Sequence, residues 1–335
     1  MSLVSGTTPS GQTYLCLPTG TPCPTDNVID PRIVTPTQSG ALCANGFFPC
    51  FGQATQCGRQ YLPPSSTADG LSSFGSYPWQ AYLRNTTNSF SGSGVLLDEY
   101  HVLTAAHKVY RNVANPSEIT VIMGVWNPSD LSNTQSSPVA AITVHPSFVA
   151  GTLMNDIAIL TLAQPIVLGI YQNINTICLA STGASTSYVG QRCVVSGWGQ
   201  TSFVTNDAPT NPQKQVFVSV VNYATCRASF ANSNLLGTNV DVYLDPNGEI
   251  CAGGRVHERC MHTIDYDIFE MCLQQDGGSP LACPDTAGNY AVAGLVIWGK
   301  NCGQTGVYGV YVNVPYYYAW IQGILSQAVF TTASG

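Results

Sequence analysis

The stretch QQDGGSPLAC (residues 274–283) decides the fold when it is placed beside two earlier segments, LTAAHKVY (103–110) and NDIAIL (155–160). The earlier segments contribute His107 and Asp156, and the third contributes a Gly-rich loop. In this chain order the residue types are those of a nucleophilic catalytic site, where an aspartate orients a histidine and the histidine takes the proton of a nucleophile. The loop must therefore supply the nucleophile if the protein is an enzyme.

Short apolar runs separated by turn residues fill the chain from Pro78 onward. They are rich in β-branched and aromatic residues and have no long amphipathic helix between them, which predicts an all-β sandwich or barrel. Helical spacing occurs only near the end, where Tyr317, Ile321 and Leu325 fall on one face. The runs are SGVLLDEYHVLTAAH, EITVIMGVW, AAITV, DIAILTLAQPIVL, CVVSGWG, KQVFVSVV and YAVAGLVIWG.

Further segments lie in register with the first three, namely YPWQAYL, CVVSGWGQT, ICAGG, VIWGKNC and GVYVNV. Together they resemble the trypsin and chymotrypsin family of serine proteases over residues 77–325. The resemblance implies a chymotrypsin-like fold: two six-stranded β-barrels, the site in the cleft between them, and a C-terminal helix.

The loop departs from the family at the nucleophile. The family sequence is GDSGGP, and here Gly277 stands where the serine belongs. Glycine has no side chain, so covalent acyl transfer is impossible at that position. Ser279 lies two residues downstream, and reaching His107 from there would require rebuilding the loop, because reacting groups must lie about 3 Å apart. We therefore expect no enzymatic activity, and we interpret His107 and Asp156 as remnants of a triad, kept because a buried hydrogen-bonded pair is costly to break from one side.

Other parts of the family's catalytic apparatus are also altered. Gln275 replaces the glycine whose N–H binds the oxyanion, and Glu270 falls near the floor of the specificity pocket. The family is activated by cleavage at Arg-Ile-Val-Gly-Gly, and the new N-terminus pairs with the residue that corresponds to Asp276. That sequence does not occur before the barrels, where Arg59 is followed by Gln-Tyr.

Composition limits the class of protein further. Charged residues make up only 9% of the chain, against about 25% in an average soluble protein, and the net charge of −7 comes without any basic run. We therefore expect neither nucleic acid nor an anionic membrane as a partner, no membrane span and no cofactor. The 13 cysteines favour an oxidising compartment, so a secreted, extracellular protein is predicted, with a glycosylation sequon at Asn85.

The chain divides into three parts by composition. Residues 1–60 hold five cysteines with many Pro, Thr and Gly residues, which predicts a small disulfide-rich module. Residues 61–76 read as a Pro/Ser/Gly linker, and residues 77–335 form the protease-like domain.

The first module resembles the clip domain of arthropod serine protease homologues. Phe51 stands in place of the second cysteine of the terminal pair that is typical of that domain. The four candidate cysteines allow three pairings, and the sequence does not choose among them. The matching residues are Cys16, Cys23, Ile29-Asp30-Pro31-Arg32, Cys43 and Cys50.

The family resemblance implies the remaining disulfides. The family's bridge beside the catalytic histidine is absent on both sides, because Lys108 follows His107 and the partner position falls in SFSGSG (89–94). An odd cysteine remains, and Cys260, in an insertion, is the candidate: it is free, completes the clip-like module or forms an interchain bridge. His257, Cys260 and His262 fit no standard zinc spacing, so no metal is predicted. The implied pairs are Cys193–Cys283, Cys226–Cys251, Cys272–Cys302 and Cys57–Cys178.

Three functions compete. The first is a secreted pseudoprotease that serves as an adaptor or cofactor in an extracellular proteolytic cascade, such as arthropod innate immunity and melanisation, with clip proteases or a prophenoloxidase-like zymogen as partners. The second is a matrix, coat or filament protein that binds itself as a homo-oligomer, which the low charge and odd cysteine would suit. The third is an active hydrolase, which Gly277 argues against. Arg32-Ile33 is a candidate cleavage site for a trypsin-like protease.

Overall fold

The structure is a computed structural model of the 335-residue chain. It describes residues 4–9, 11–21, 23, 42–180, 188–199, 212–232, 235–254, 276–299 and 306–327.

The described residues form seventeen strands and four α-helices, with short 3₁₀ turns between some of them. The strands before the second barrel are β1 (Ser5–Thr7), β2 (Thr13–Pro18), β3 (Phe47–Phe51), β4 (Gly70–Leu71), β5 (Gln80–Arg84), β6 (Phe90–Leu96), β7 (His101–Thr104), β8 (Thr120–Met123), β9 (Gln135–Val144) and β10 (Ala158–Leu162). The later strands are β11 (Cys178–Leu179), β12 (Arg192–Gly197), β13 (Lys214–Val221), β14 (Glu249–Gly253), β15 (Pro280–Pro284), β16 (Tyr290–Gly299) and β17 (Tyr308–Asn313). The helices are α1 (Ala106–Val109), α2 (Tyr223–Phe230), α3 (Val240–Tyr243) and α4 (Tyr318–Leu325), and the 3₁₀ turns are Tyr110–Asn112, Pro116–Glu118, Gly237–Asn239 and Val314–Tyr317.

Six antiparallel strands close the N-terminal barrel in the order β10-β7-β6-β5-β8-β9. Successive side chains of a strand point to opposite faces, and β9 accordingly buries Gln135, Ser137 and Val139 while the residues between them are less buried. The apolar residues Leu83, Val121 and others fill the interior together with their neighbours on β7 and β10. Closure removes the exposed edges that an open sheet of these strands would have.

The C-terminal barrel closes through six strands in the order β12-β13-β14-β17-β16-β15, since β15 also pairs with β12 and β16 with β17. Strand β11 runs parallel to β16 on its outside. The two closed barrels and the C-terminal helix α4 confirm the predicted chymotrypsin-like fold.

A shared apolar core joins the two barrels. Trp79 and Leu103 of the N-terminal half and Val194, Leu295 and Ile321 of the C-terminal half belong to one cluster of buried side chains. The two barrels are thus packed against each other. The loop that follows β7 and the loop that precedes β10 hold the candidate site.

The N-terminal module is a three-stranded antiparallel sheet in the order β1-β2-β3. Disulfides join Cys16 to Cys43 and Cys23 to Cys50, which is one of the three pairings that the sequence left open.

The first barrel completes the core of this module. Leu15 of the module packs against Val167 and Ile170 of the N-terminal half, because strands this short bury little apolar surface by themselves. Hydrogen bonds also cross the contact, from Ser5 Oγ to the carbonyl of Pro165 and from Thr13 Oγ1 to Glu99 Oε1. The module is therefore stabilised both by its own two disulfides and by packing against the N-terminal half of the protease-like domain.

The predicted linker, residues 61–76, lies against the C-terminal barrel. Strand β4 pairs with the start of β13, and the Phe217 N–H donates to Asp69 Oδ1 at 2.8 Å. Ser72 Oγ donates to the carbonyl of Gln213. The segment is therefore an ordered connection between the module and the second barrel, and the side chains of Asp69 and Ser72 are hydrogen-bonded to that barrel.

Three more disulfides lie among the described residues: Cys57–Cys178, Cys193–Cys283 and Cys226–Cys251. They are pairs that the family resemblance implies. The pair Cys272–Cys302 and the odd Cys260 lie outside the described residues.

Helix α2 was not predicted from the sequence. Its N-cap is Asn222, whose Oδ1 accepts from the Thr225 N–H at 2.8 Å. Only Cys226 and Phe230 of the helix are buried, so its apolar stripe is too short to be recognised by periodicity. None of the helices in the described ranges has the length and apolarity needed to cross a membrane.

Candidate functional site

Strand pairing places His107 beside Asp156. Strands β7 and β10 pair antiparallel with Thr104 opposite Ala158, so the chain that leaves β7 meets the chain that enters β10. His107 Nδ1 lies 2.6 Å from Asp156 Oδ2, and the His107 N–H donates to Asp156 Oδ1 at 2.7 Å. The Asp156 side chain is fully buried, whereas 22% of the His107 side chain is exposed. The carboxylate thus fixes both the backbone and the ring of the histidine, as in a working triad.

The space for a nucleophile is filled. A Cβ atom added to Gly277 would lie 2.5 Å from His107 Nε2 and 2.8 Å from Lys108 Cδ, and both distances are too short for non-bonded atoms. The Ser93 N–H donates to the Gly277 carbonyl at 3.1 Å, and the Gly278 N–H donates to the Val296 carbonyl at 2.9 Å, so both barrels hold the loop. A serine side chain at this position would therefore overlap the His107 ring and the Lys108 side chain.

Ser279 is not a substitute nucleophile in this arrangement. Its side chain is fully buried, and its Oγ accepts from Gln80 Nε2 at 3.3 Å. Gln80 Nε2 also donates to the carbonyl of Ser196 at 2.7 Å. The hydroxyl is therefore part of the packed contact between the barrels, and a substrate in the cleft cannot reach it.

Asp276, which the family pairs with its new N-terminus, is bound here to the C-terminal barrel. The Gly199 N–H donates to its Oδ1 at 2.7 Å. Burial raises the pKa of Asp276 to about 6, while the hydrogen bond from Gly199, the charge of Lys108 and the backbone of Trp198 act in the lowering direction. The Asp276 carboxyl therefore has hydrogen-bonding partners in the chain without a new N-terminus formed by cleavage.

Lys108 occupies the region of the missing family disulfide. Besides its contact with Gly277, it approaches Gly92, where an added Cβ would lie 2.6 Å from Lys108 Cε. Burial lowers the pKa of the Lys108 ammonium group, and the charges of Asp276 and Asp156 act in the opposite direction. The Lys108 side chain thus lies near the buried carboxylates of Asp276 and Asp156. From the sequence, this position was noted only for the absence of the family's cysteine.

Several predicted site residues lie outside the described residues, namely Gln275, Glu270, Arg32, Ile33 and Cys260. Within the described part of the chain, no group of three or more His, Cys, Asp or Glu side chains is placed to hold a metal ion.

Two groups with unusual surroundings were missed by sequence reasoning, Lys108 and Glu249. Glu249 is 5% exposed, and burial raises its pKa to about 8. A lysine directly after the histidine was a signal, because it stands where the family resemblance implies a disulfide cysteine, and a lysine buried there requires charged neighbours. Glu249 follows a turn at the start of an apolar strand, and no local pattern distinguishes it from an exposed residue.

The chemistry left to this site is limited. A base that is oriented by a carboxylate can accept a proton, but acyl transfer needs a nucleophile beside it, and here that place holds Gly277. A chymotrypsin-like double barrel with such a site is a non-catalytic serine protease homologue. Residues 71–321 match the trypsin family, and the chain belongs to that family.

Similar relatives include proteins that are named inactive. The chain is 36% identical, over 98% of its length, to the inactive CLIP domain-containing serine protease A3 of Aedes aegypti, and it covers 70% of that protein. It is 32% identical, over 92% of its length, to the inactive CLIP domain-containing serine protease A28 of Anopheles gambiae, covering 73% of it. It is 30% identical, over 76% of its length, to phenoloxidase-activating factor 2 of Galleria mellonella, covering 82% of it. The chain is therefore an inactive clip-type protease homologue.

Asn85 lies in the turn between β5 and β6 and is expected to carry an N-linked glycan. Thr86 and Thr87 are exposed there, and sequons are modified on surface loops of exported proteins. Peptide-N-glycosidase F should lower the mass of protein secreted from insect cells. Thr87→Ala should abolish this shift and Thr87→Ser should preserve it; an unchanged mass of the wild-type protein after digestion would refute the assignment.

Proposed function

We propose that this protein is a secreted adaptor or cofactor in an extracellular proteolytic cascade of the kind that serves arthropod immunity and melanisation. The observation that carries the proposal is the combination of an intact fold with a filled nucleophile position: His107 and Asp156 keep their geometry, while Gly277 leaves no room for a serine. A cleft that cannot turn over a substrate can still bind one, because catalysis depends on interactions made only in the transition state.

Secretion and the cascade role have separate support. The five disulfides of the described residues fit an oxidising compartment. One relative is named a phenoloxidase-activating factor, which supports clip proteases or a prophenoloxidase-like zymogen as partners. The N-terminal module is joined to the first barrel by its apolar contact with Val167 and Ile170, so it can present a partner surface that is continuous with the barrel.

Affinity capture of the native protein from its own secreted fluid tests this function. Partners are identified with and without reduction, and the size of the complexes is measured in parallel. Recovery of a clip protease or a phenoloxidase-like zymogen in a small complex supports the adaptor. Recovery of mostly the protein itself, as large disulfide-linked or filamentous material, contradicts it and supports the matrix function.

Cleavage at Arg32-Ile33 is a further prediction. Cys16–Cys43 and Cys23–Cys50 both bridge across residue 32, so a cut there should leave the two pieces joined. Limited trypsin digestion should release a short N-terminal fragment on reducing gels only, and Arg32→Gln should prevent it. First cleavage at another site, with the Arg32 bond intact, would contradict the assignment.

A further inference from the structure

A cavity of about 150 Å³ lies in the C-terminal barrel, where the adjoining strands β13, β14 and β17 meet. Part of its apolar lining is accessible to solvent, since Val189 is 46% exposed and Val221 and Ile250 are partly exposed. A cavity needs only about 10–15 Å³ of such volume to hold one water molecule, so this one has room for a small organic group. Among the described residues, the lining consists of Val189, Val220, Val221, Asn222, Tyr223, Pro246, Glu249, Ile250, Cys251 and Asn313.

Two deeply buried polar side chains line this cavity, Glu249 and Asn313. They are 5% and 6% exposed. Asn313 Nδ2 donates to the carbonyl of Asn247 at 2.6 Å, but its Oδ1 is buried with no hydrogen-bond partner among the described residues. Buried polar atoms without a partner are rare and costly, so the unpartnered oxygen indicates a ligand that donates a hydrogen bond.

Glu249 also has capacity to accept. Its Oε2 accepts from the Asp245 N–H at 2.9 Å, and its Oε1 accepts from Trp298 Nε1 at 3.3 Å. An ionised carboxylate accepts about four hydrogen bonds, so two of its positions remain. The two buried polar side chains of the lining thus offer acceptors, beside an apolar part that includes Val189, Val220 and Ile250.

We propose that this cavity binds an alkylammonium group, either a small aliphatic amine or the side chain of a lysine on a partner protein. An ammonium group supplies three donors and no acceptor, and the four-carbon arm of a lysine matches the apolar walls. The cavity volume leaves room for the five heavy atoms of butylammonium. The cavity is distinct from the cleft, since its lining includes none of His107, Asp156 and Gly277.

The local charges favour a cation. Burial is the main cause that raises the pKa of Glu249 to about 8, and the charges of Asp245 and Asp156 add to it. The guanidinium of Arg227 on α2 is already paired with Asp241, at 2.6 Å between Nη2 and Oδ2. A bound ammonium group would stabilise the charged form of Glu249, so binding near neutral pH should release a proton.

Two tyrosines near Glu249 do not complicate this proton balance. Tyr223 lines the cavity, and burial followed by the charge of Asp241 raises the pKa of its hydroxyl. Burial and the charges of Asp245 and Glu249 likewise raise the pKa of Tyr317. Both hydroxyls therefore stay neutral near pH 7, and the proton released on binding comes from the Glu249 carboxyl.

Titration of the full chain with n-butylamine by calorimetry and NMR tests this proposal. Affinity should rise from pH 6 to about pH 8, by up to about tenfold per pH unit, because the ligand binds the deprotonated carboxyl. Calorimetry at pH 7 in buffers of different ionisation enthalpy should show proton release in the wild-type protein. Uncharged n-butanol should bind at least about tenfold more weakly.

Variants locate the site and separate the sources of the amine. Glu249→Gln should weaken binding at pH 8 by about tenfold or more, and Glu118→Gln, which removes one carboxylate from the first barrel, should not. If Glu249→Gln fails to fold, the calorimetric measurement of proton release by the wild-type protein still tests the proposal. Nα-acetyl-lysine amide binding more tightly than n-butylamine assigns a lysine side chain as the ligand, and the reverse order assigns a free amine. No binding, equal binding of butanol or no proton release would overturn the proposal, and none of these outcomes bears on the cascade function.

Discussion

Replacing Gly277 with serine is expected to leave the protein without hydrolytic activity and to lower its free energy of unfolding by about 1–3 kcal/mol, the usual cost of overpacking. The new Cβ would lie 2.5 Å from His107 Nε2 and 2.8 Å from Lys108 Cδ. The lysine arm can move aside, but the histidine ring is held by Asp156 at 2.6 Å. Fluorophosphonate labelling and hydrolysis of arginyl amide substrates measure the activity, and urea denaturation measures the stability.

Two variants serve as controls for this prediction. Gly151→Ser adds the same atoms where nothing lies within 4 Å of an added Cβ, and it should change the free energy of unfolding by less than about 0.5 kcal/mol. Adding Lys108→Ala to Gly277→Ser removes one of the two clashes and should recover part of the stability without activity. Fluorophosphonate labelling of the Gly277→Ser protein at the introduced hydroxyl would mean that the site lacks only its nucleophile.

The stability of the wild-type protein is expected to fall as the pH rises from about 5 to about 8, with Glu249 as a principal cause. Its pKa is raised from 4.5 to about 8 in the folded protein, so the folded state holds a proton that the unfolded chain has lost. The stabilisation is complete below the unfolded pKa and is lost as the pH rises through the folded value. At 1.36 kcal/mol per pKa unit the full loss is on the order of 5 kcal/mol, and roughly 3–4 kcal/mol of it falls between pH 5 and pH 8.

Comparison of the wild-type protein with Glu249→Gln isolates this effect. The variant cannot ionise, so its free energy of unfolding by urea should change less between pH 6 and pH 8. Asp276, whose pKa is raised to about 6, contributes with the same sign at lower pH. His145 has a pKa lowered by burial and acts in the opposite sense, but both are present in the two proteins and cancel in the difference. Parallel curves would contradict the assignment to Glu249.

The local sequence pattern, together with the match of its motifs to those of the protease family, was sufficient to predict the two barrels and the loss of the nucleophile. Short runs of β-branched and aromatic residues predicted strands such as β10 and β12, and the order of His107, Asp156 and Gly277 predicted where the strands would bring the site together. The absence of a side chain at Gly277 needs no structure to interpret, because no fold can supply a missing nucleophilic atom. Helix α2 shows the limit of this reasoning, since its stability depends on the Cys226–Cys251 bridge and the Asn222 cap.

The sequence by itself predicted an all-β domain and the missing nucleophile, because short apolar runs and the residue types of a catalytic site are local properties. The two barrels followed from its resemblance to the trypsin and chymotrypsin family. Only the tertiary structure decided that Lys108 lies against Gly277, that Ser279 is buried behind Gln80, and that Glu249 and Asn313 line one cavity. These relations join segments far apart in the chain, and the desolvation that changes the properties of a buried charge depends on all the atoms around it. The pairing Cys16–Cys43 and Cys23–Cys50 is of the same kind, because four cysteines allow three pairings and packing of β2 and β3 selects one.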